Sequence, residues 1–180
     1  YTDITGKKTW KDNSNAYETR PDSISLTLWR KAGTTGIPEP VTDLEGKPVQ
    51  PTWSIPETGN EWTFTYTHLP EADDQGNMYT YEVKENPVPL SGGDTYVPGW
   101  DGTELTNTLT GTVNLSVEKI WQDNENASGM RPAEIQVQLL ANGVPDESHI
   151  LTLNEGNSWK AILNGLPKYD TNGALIRYSF

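Results

Sequence analysis

The chain has 180 residues, a formal net charge of −12 and no cysteine. That acidity argues against nucleic acid and anionic membrane as partners, since both are held by basic patches. The missing thiols exclude disulfides and thiolate metal sites. Hydrophobic residues make up 33%, and 16 Gly and 13 Pro are scattered along the chain, which suits an all-β protein with many turns in one large or two small domains.

Period-two alternation, the mark of a half-buried strand, predicts strands at 4–10, 22–30, 61–67, 78–85 and 104–110. Further strands are expected at 112–121, 134–141, 149–153, 158–163 and 175–180. The Pro/Gly-rich stretch 32–60 reads as a loop. "DDQGN" at 73–77 and "DTNGA" at 170–174 are turn-formers, and Asn142-Gly143 is a strong hairpin signal. No segment sustains a helical period. No apolar run reaches transmembrane length and no signal peptide stands at Tyr1, so the chain reads as a mature or excised segment.

The chain also repeats itself. "KKTWKDNSNAYETRPDSISLTL" at 7–28 matches "EKIWQDNENASGMRPAEIQVQL" at 118–139 with a constant offset of 111. Lys8 pairs with Lys119, Trp10 with Trp121, Asp12 with Asp123, and Arg20-Pro21 with Arg131-Pro132. "EWTFTYTHLPEADDQGNMYTYEV" at 61–83 matches "SWKAILNGLPKYDTNGALIRYSF" at 158–180 with offset 97, so the first copy carries 14 extra residues, placed in 32–60. Two domains are expected, 1–110 and 111–180. Phe180 corresponds to Val83, so the second copy is expected to lack its final strands.

Strand parity raises a chemical question. Val113, Leu115, Val117, Lys119 and Trp121 share a face, and so do Ile4, Gly6, Lys8 and Trp10. Tyr79, Tyr81, Val83 and Glu85 share another, as do Leu105, Asn107 and Leu109. The first copy therefore aims an amine, a carboxyl and a carboxamide into one apolar core. Burying lone charges is costly, and groups in such places tend to neutralise. A neutral amine attacks a carboxamide polarised by a carboxyl, giving an amide and ammonia. Folding itself supplies the proximity. The product is a Lys–Asn isopeptide cross-link. Lys7 stands one residue from Lys8 as the alternative nucleophile; parity and the match to Lys119 favour Lys8.

The block formed by Lys8, Trp10, Asp12-Asn13 and Arg20-Pro21, its second copy, "LPKYD", "YEVKE" and "LTNT" resembles the Cna B-type repeat of Gram-positive surface adhesins and pilins. The resemblance spans nearly the whole chain, twice. It implies tandem immunoglobulin-like β-sandwiches of reversed topology, the second incomplete. It implies a stalk segment of a wall-anchored protein at the cell surface, whose partners are neighbouring repeats of the same chain. It also implies the self-forming cross-link, with Lys8 as nucleophile, Glu85 as proton shuttle and Asn107 as acceptor. Lys119 is the matching lysine of the second repeat, its partners lying outside the chain. No cofactor, metal or turnover enzyme is expected.

Blander readings compete. Lys8 and Lys119 could be snorkelling lysines, and Glu85 a plain ion-pair partner. "DNSNAYE" and "DNENASG" resemble calcium loops faintly but lack the Gly and terminal Glu spacing, which favours turns. Trp53 and Trp100 do not recur and fall in expected loops, so they are the candidate exposed aromatics for a host matrix protein or glycan. That adhesin reading, through 32–60 or Trp100, is the alternative function, with a pilin backbone segment a third. His68 and His149 have no Ser or Asp placed to make a triad.

Overall fold

In the first part of the chain the strands are β1 (Thr2–Lys11), β2 (Leu26–Ala32), β3 (Glu39–Pro40), β4 (Thr52–Ser54), β5 (Glu61–Leu69), β6 (Tyr79–Glu85), β7 (Val88–Pro89), β8 (Thr95–Asp101) and β9 (Glu104–Thr110). The computed structural model describes every residue except Pro87. Among the described residues there is no α-helix. Contacts gather into two units, Tyr1–Thr110 with Thr171–Ala174 and Gly111–Asp170 with Leu175–Phe180.

The first unit has two sheets. One runs β4-β5-β1-β9-β8-β7 and the other β3-β2-β6. Leu26, Leu28 and Val83 come from the smaller sheet, with Val41 just past β3. They pack against Phe64, Tyr66, Leu69 and Leu105 of the larger one. Each such burial contributes about 1.5–3 kcal/mol. β1 sits centrally, antiparallel to β5 and parallel to β9. The alternation in β1 and β9 is a consequence of that position. Gly6, Lys8 and Trp10, and Leu105, Asn107 and Leu109, are buried while their neighbours are not.

Three expectations need correction here. The strand expected at 22–30 begins at Leu26, where pairing with Glu85 of β6 starts. The stretch before it is held irregular by Pro21, by the Arg20 amide donating to Asn15 Oδ1 and by the Arg20 guanidinium donating to Asp12. The segment 32–60 is not all loop: β3 and β4 extend the two sheets by pairing β2 and β5. β8, which Pro98 and Gly99 hid from the sequence reading, forms a full hairpin with β9. Among the described residues β7 pairs only Thr95 and Tyr96 of β8, so Pro98 lies where the strand is an edge and a missing N–H is tolerated.

The second unit contains β10 (Thr112–Glu118), β11 (Glu134–Ala141), β12 (Val144–Asn154), β13 (Lys160–Pro167) and β14 (Tyr178–Ser179), in sheets β10-β13 and β12-β11-β14. β11 and β12 turn at Asn142 and Gly143, whose φ values of 53° and 79° are those of a type I′ hairpin. Leu139, Leu153 and Leu166 are buried. β10 stops at Glu118 rather than at 121, and Val113, Leu115 and Val117 are only half-buried.

Candidate functional site

Three strands from both sheets of the first unit meet at one polar cluster. Lys8 enters from β1, Asn107 from β9 beside it, and Glu85 from β6 across the core. The parallel register sets Trp10 opposite Asn107 and Lys8 opposite Leu105, so Lys8 and Asn107 are diagonal neighbours on the inner face. Lys8 is 0% exposed and Asn107 1%. Lys8 Nζ donates to Glu85 Oε2 at 2.6 Å, and Asn107 Nδ2 donates to Glu85 Oε1 at 2.6 Å. One carboxyl thus bridges amine and carboxamide. Asn107 Oδ1 is buried with no hydrogen-bond partner.

Burial pushes the Lys8 amine down to about 8, against an opposing pull from the hydrogen bond and charge of Glu85. Lys7 faces solvent, 4.0 Å from Glu61, so the two lysines divide by parity into one outward and one inward. Lys8 is not a snorkelling lysine, because its ammonium end is as buried as its stem.

Lys119 departs from its expected inward placement. It is exposed, lies just past β10, and its Nζ stands 4.7 Å from the Trp121 ring. Trp53 is also corrected. It sits in β4, half-buried, edge-on to Trp62 at 5.9 Å and to Phe64 at 5.5 Å. Trp100 is 51% exposed, but on β8 rather than a loop. It borders an open groove of about 420 Å³ with Lys11, Asp101, Glu104 and Thr106. His149 does have Asp146 and Ser148 beside it, contrary to expectation. Both reach the same ring nitrogen, Nδ1, at 2.8 and 3.0 Å. A triad needs them on opposite nitrogens, so no relay forms.

One set of residues had no role assigned from the sequence. Asp12 is fully buried and accepts from Arg20 Nε and Nη2, from the Asn15 amide and from the Tyr96 hydroxyl. Burial pushes its carboxyl up, but these hydrogen bonds together outweigh that and hold it below the usual range. The bonds fasten a turn in which Asn13, Ser14 and Asn15 are all left-handed, with φ between 54° and 58°. L-residues resist that conformation. The second unit repeats the device: Asp123 takes Arg131 Nε and Nη2 and the Asn126 amide, over left-handed Asn124, Glu125 and Asn126. The signal was the matched Asp and Arg of the two copies. The calcium-loop likeness of these stretches reflects this turn, whose acidic oxygens are taken by protein donors. Among the described residues no cluster of three or more His, Asp or Glu could hold a metal ion.

The family model for the Cna protein B-type domain matches residues 4–108 and again 115–180. The chain belongs to the Cna B-type domain family. Such repeats are structural domains without catalytic turnover. A collagen adhesin of Staphylococcus aureus is 33% identical over 99% of the chain, which spans 14% of that relative's length. The crystal structure of a single B repeat unit of the S. aureus collagen-binding surface protein is 28% identical. It aligns over 99% of this chain and 83% of its own, with a TM-score of 0.39. A two-unit B1B2 structure of the same protein, also 28% identical, aligns over 98% of this chain and 43% of its own, with a TM-score of 0.44.

Proposed function

We propose that this chain is a stalk or spacer segment of a Gram-positive cell-surface adhesin, hardened by a self-formed isopeptide bond between Lys8 and Asn107. In this reading 1–110 and 111–180 are two Cna B-type domains, extracellular and serving as spacers between other parts of a longer wall-anchored protein. The observation that carries the cross-link is the single buried carboxyl of Glu85 touching both reactants at 2.6 Å. A plain buried ion pair is a poor source of stability, so its retention here favours a chemical use.

The reaction balances without any added reagent. A half-turn of the Asn107 amide brings the unpartnered Oδ1 toward Glu85, whose proton then polarises the carboxamide carbon. The neutral Lys8 amine attacks Cγ, the Nζ–Cγ bond forms and the Cγ–Nδ2 bond breaks. The proton given up by Nζ passes through Glu85 to Nδ2, and ammonia leaves. The depressed basicity of Lys8 supplies the free amine near neutral pH.

Intact mass under denaturing conditions tests this. The wild-type chain should be lighter than its sequence by about 17 Da, one ammonia. Glu85→Gln should restore the full mass while leaving the fold unchanged. A wild-type mass equal to the sequence removes the cross-link.

A second reading, adhesion to a host matrix protein or glycan, is favoured by one feature, the half-exposed Trp100 over its polar-rimmed groove. An aromatic face with carboxylates and hydroxyls beside it suits a sugar ring. The inward packing of Trp53 removes the corresponding argument from 32–60. Loss of glycan-array or matrix binding in Trp100→Ala would support this reading; an array with no hits would sink it.

A further inference from the structure

The geometry points to Trp10, Arg20 and Asp12 as positioning residues for the cross-linking reaction: the Asp12–Arg20 pair clamps Trp10 as a dry cover over the reacting Lys8. This rests on the cross-link reading above.

Trp10 stands close to both reactants. Its ring centre lies 4.8 Å from Lys8 Nζ, and its backbone is directly opposite Asn107 in the register of β1 and β9. It is 1% exposed, yet its indole Nε1 has no hydrogen-bond partner. No polar tether fixes the ring, so packing alone orients it. That packing closes on itself. Tyr96 meets Trp10 edge-on at 4.9 Å and Trp62 does so at 5.0 Å. The Tyr96 hydroxyl donates to Asp12 Oδ2, Asp12 takes a bidentate pair from Arg20, and the Arg20 guanidinium returns to the Trp10 ring at 5.2 Å. A guanidinium is the group that can hold a carboxylate in a fork and cover an aromatic ring at once.

The second unit repeats this device: Arg131 pairs with Asp123 and stands 5.3 Å from Trp121. Lys119 lies 4.7 Å from the same ring, and Trp159 meets it edge-on at 5.0 Å. Lysine, tryptophan, arginine and aspartate therefore come together in the same arrangement in both copies. In the first unit the charged and titratable groups around Lys8 are Glu85 from β6 and, beyond the Trp10 ring, Arg20, Asp12 and Tyr96. Loosening the ring admits water to the amine, favours its charged form and blurs its aim at Cγ.

The test follows cross-linking in time. The full chain is made by cell-free synthesis with a short label, moved into buffers between about pH 6 and 9, and quenched in denaturant. The unreacted fraction is read by mass. Arg20→Lys keeps the charge but loses the fork. It should slow the reaction on the order of tenfold or more and move the midpoint of the pH–rate profile upward. Tyr96→Phe, which keeps the ring and loses only its bond to Asp12, should shift both in the same direction by less. Circular dichroism of each variant checks the fold, and if Arg20→Lys does not fold, Tyr96→Phe decides. Wild-type rate and midpoint in the folded variants would overturn the proposal. So would slowing with an unmoved midpoint, which is what a merely structural latch produces. A wild-type chain that never loses ammonia, seen before any variant is made, would overturn the cross-link reading and this one with it.

Discussion

At the scale of single residues, the buried Lys8 makes the un-cross-linked protein pH-sensitive in a defined direction. In an Asn107→Ala variant no bond forms and Lys8 keeps its titrating amine. Its folded-state value of about 8 lies below the ordinary 10.5, so the unfolded chain binds the extra proton between those limits. Folding is penalised below about pH 8 and gains as pH rises toward 10.5, by on the order of 3 kcal/mol. Tyr66 and Tyr96 act oppositely. Burial raises both to about 12 from 10.0, so their contribution is full below pH 10 and is lost as pH climbs through 12. Urea midpoints of Asn107→Ala should therefore rise from pH 7 to a maximum near 10 and then fall. A flat profile from 8 to 10 would mean that Lys8 is not desolvated. Asp12 sets the acid limb: its depressed carboxyl stabilises the fold above its ordinary range, and that contribution disappears as pH falls through the folded-state value.

At the scale of elements, β1 is the strand on which the site depends, because it pairs on both edges and carries Lys8 and Trp10. Gly6 lets it lie where it does. A Cβ there would run into the Phe64 ring and the Thr103 carbonyl, and Gly6 stands opposite Phe64 in the β1–β5 register. One of those neighbours is backbone and cannot swing aside. Gly6→Ala should cost about 3 kcal/mol in a Glu85→Ala background, read as a lowered urea midpoint. In an otherwise wild-type chain it should also leave an unreacted fraction, since β1 must shift relative to β9. A neutral outcome would show that β1 has room the contacts do not suggest.

At the scale of the whole molecule, the proposed bond joins the first strand of the sandwich to its last and closes a loop of about 100 residues. In the chain-entropy account of cross-links this adds roughly 4–5 kcal/mol by restricting the unfolded state. For a domain of this size that corresponds to about 20 °C or more in the thermal midpoint, comparing wild type with Glu85→Ala by calorimetry. Pulled from its ends, the wild-type chain should extend by about 330–360 Å less than Glu85→Ala, the length of the residues the bond locks in. Equal contour lengths in single-molecule stretching would exclude a bond between Lys8 and Asn107. That missing extension is the property a stalk would use, since load passes through the covalent link while the sheets stay closed.

The all-β class, the two copies, and the inward placement of Lys8, Glu85 and Asn107 were all legible in the order of residues. Strand alternation and internal matching are local properties, and a residue's parity within its strand survives whatever the strand packs against. The Asn142-Gly143 hairpin was readable for the same reason. Contacts across long separations came instead from how the strands pair and the sheets pack. Parallel pairing of β1 with β9 put Lys8 beside Asn107, and Tyr96, from a segment with no second copy and a strand disguised by Pro98 and Gly99, came to rest on Asp12. Sheet extension turned Trp53 inward. Lys8 is buried because β9 pairs beside it and Glu85 of β6 reaches it from across the core, and neither fact is written in the strand that carries it.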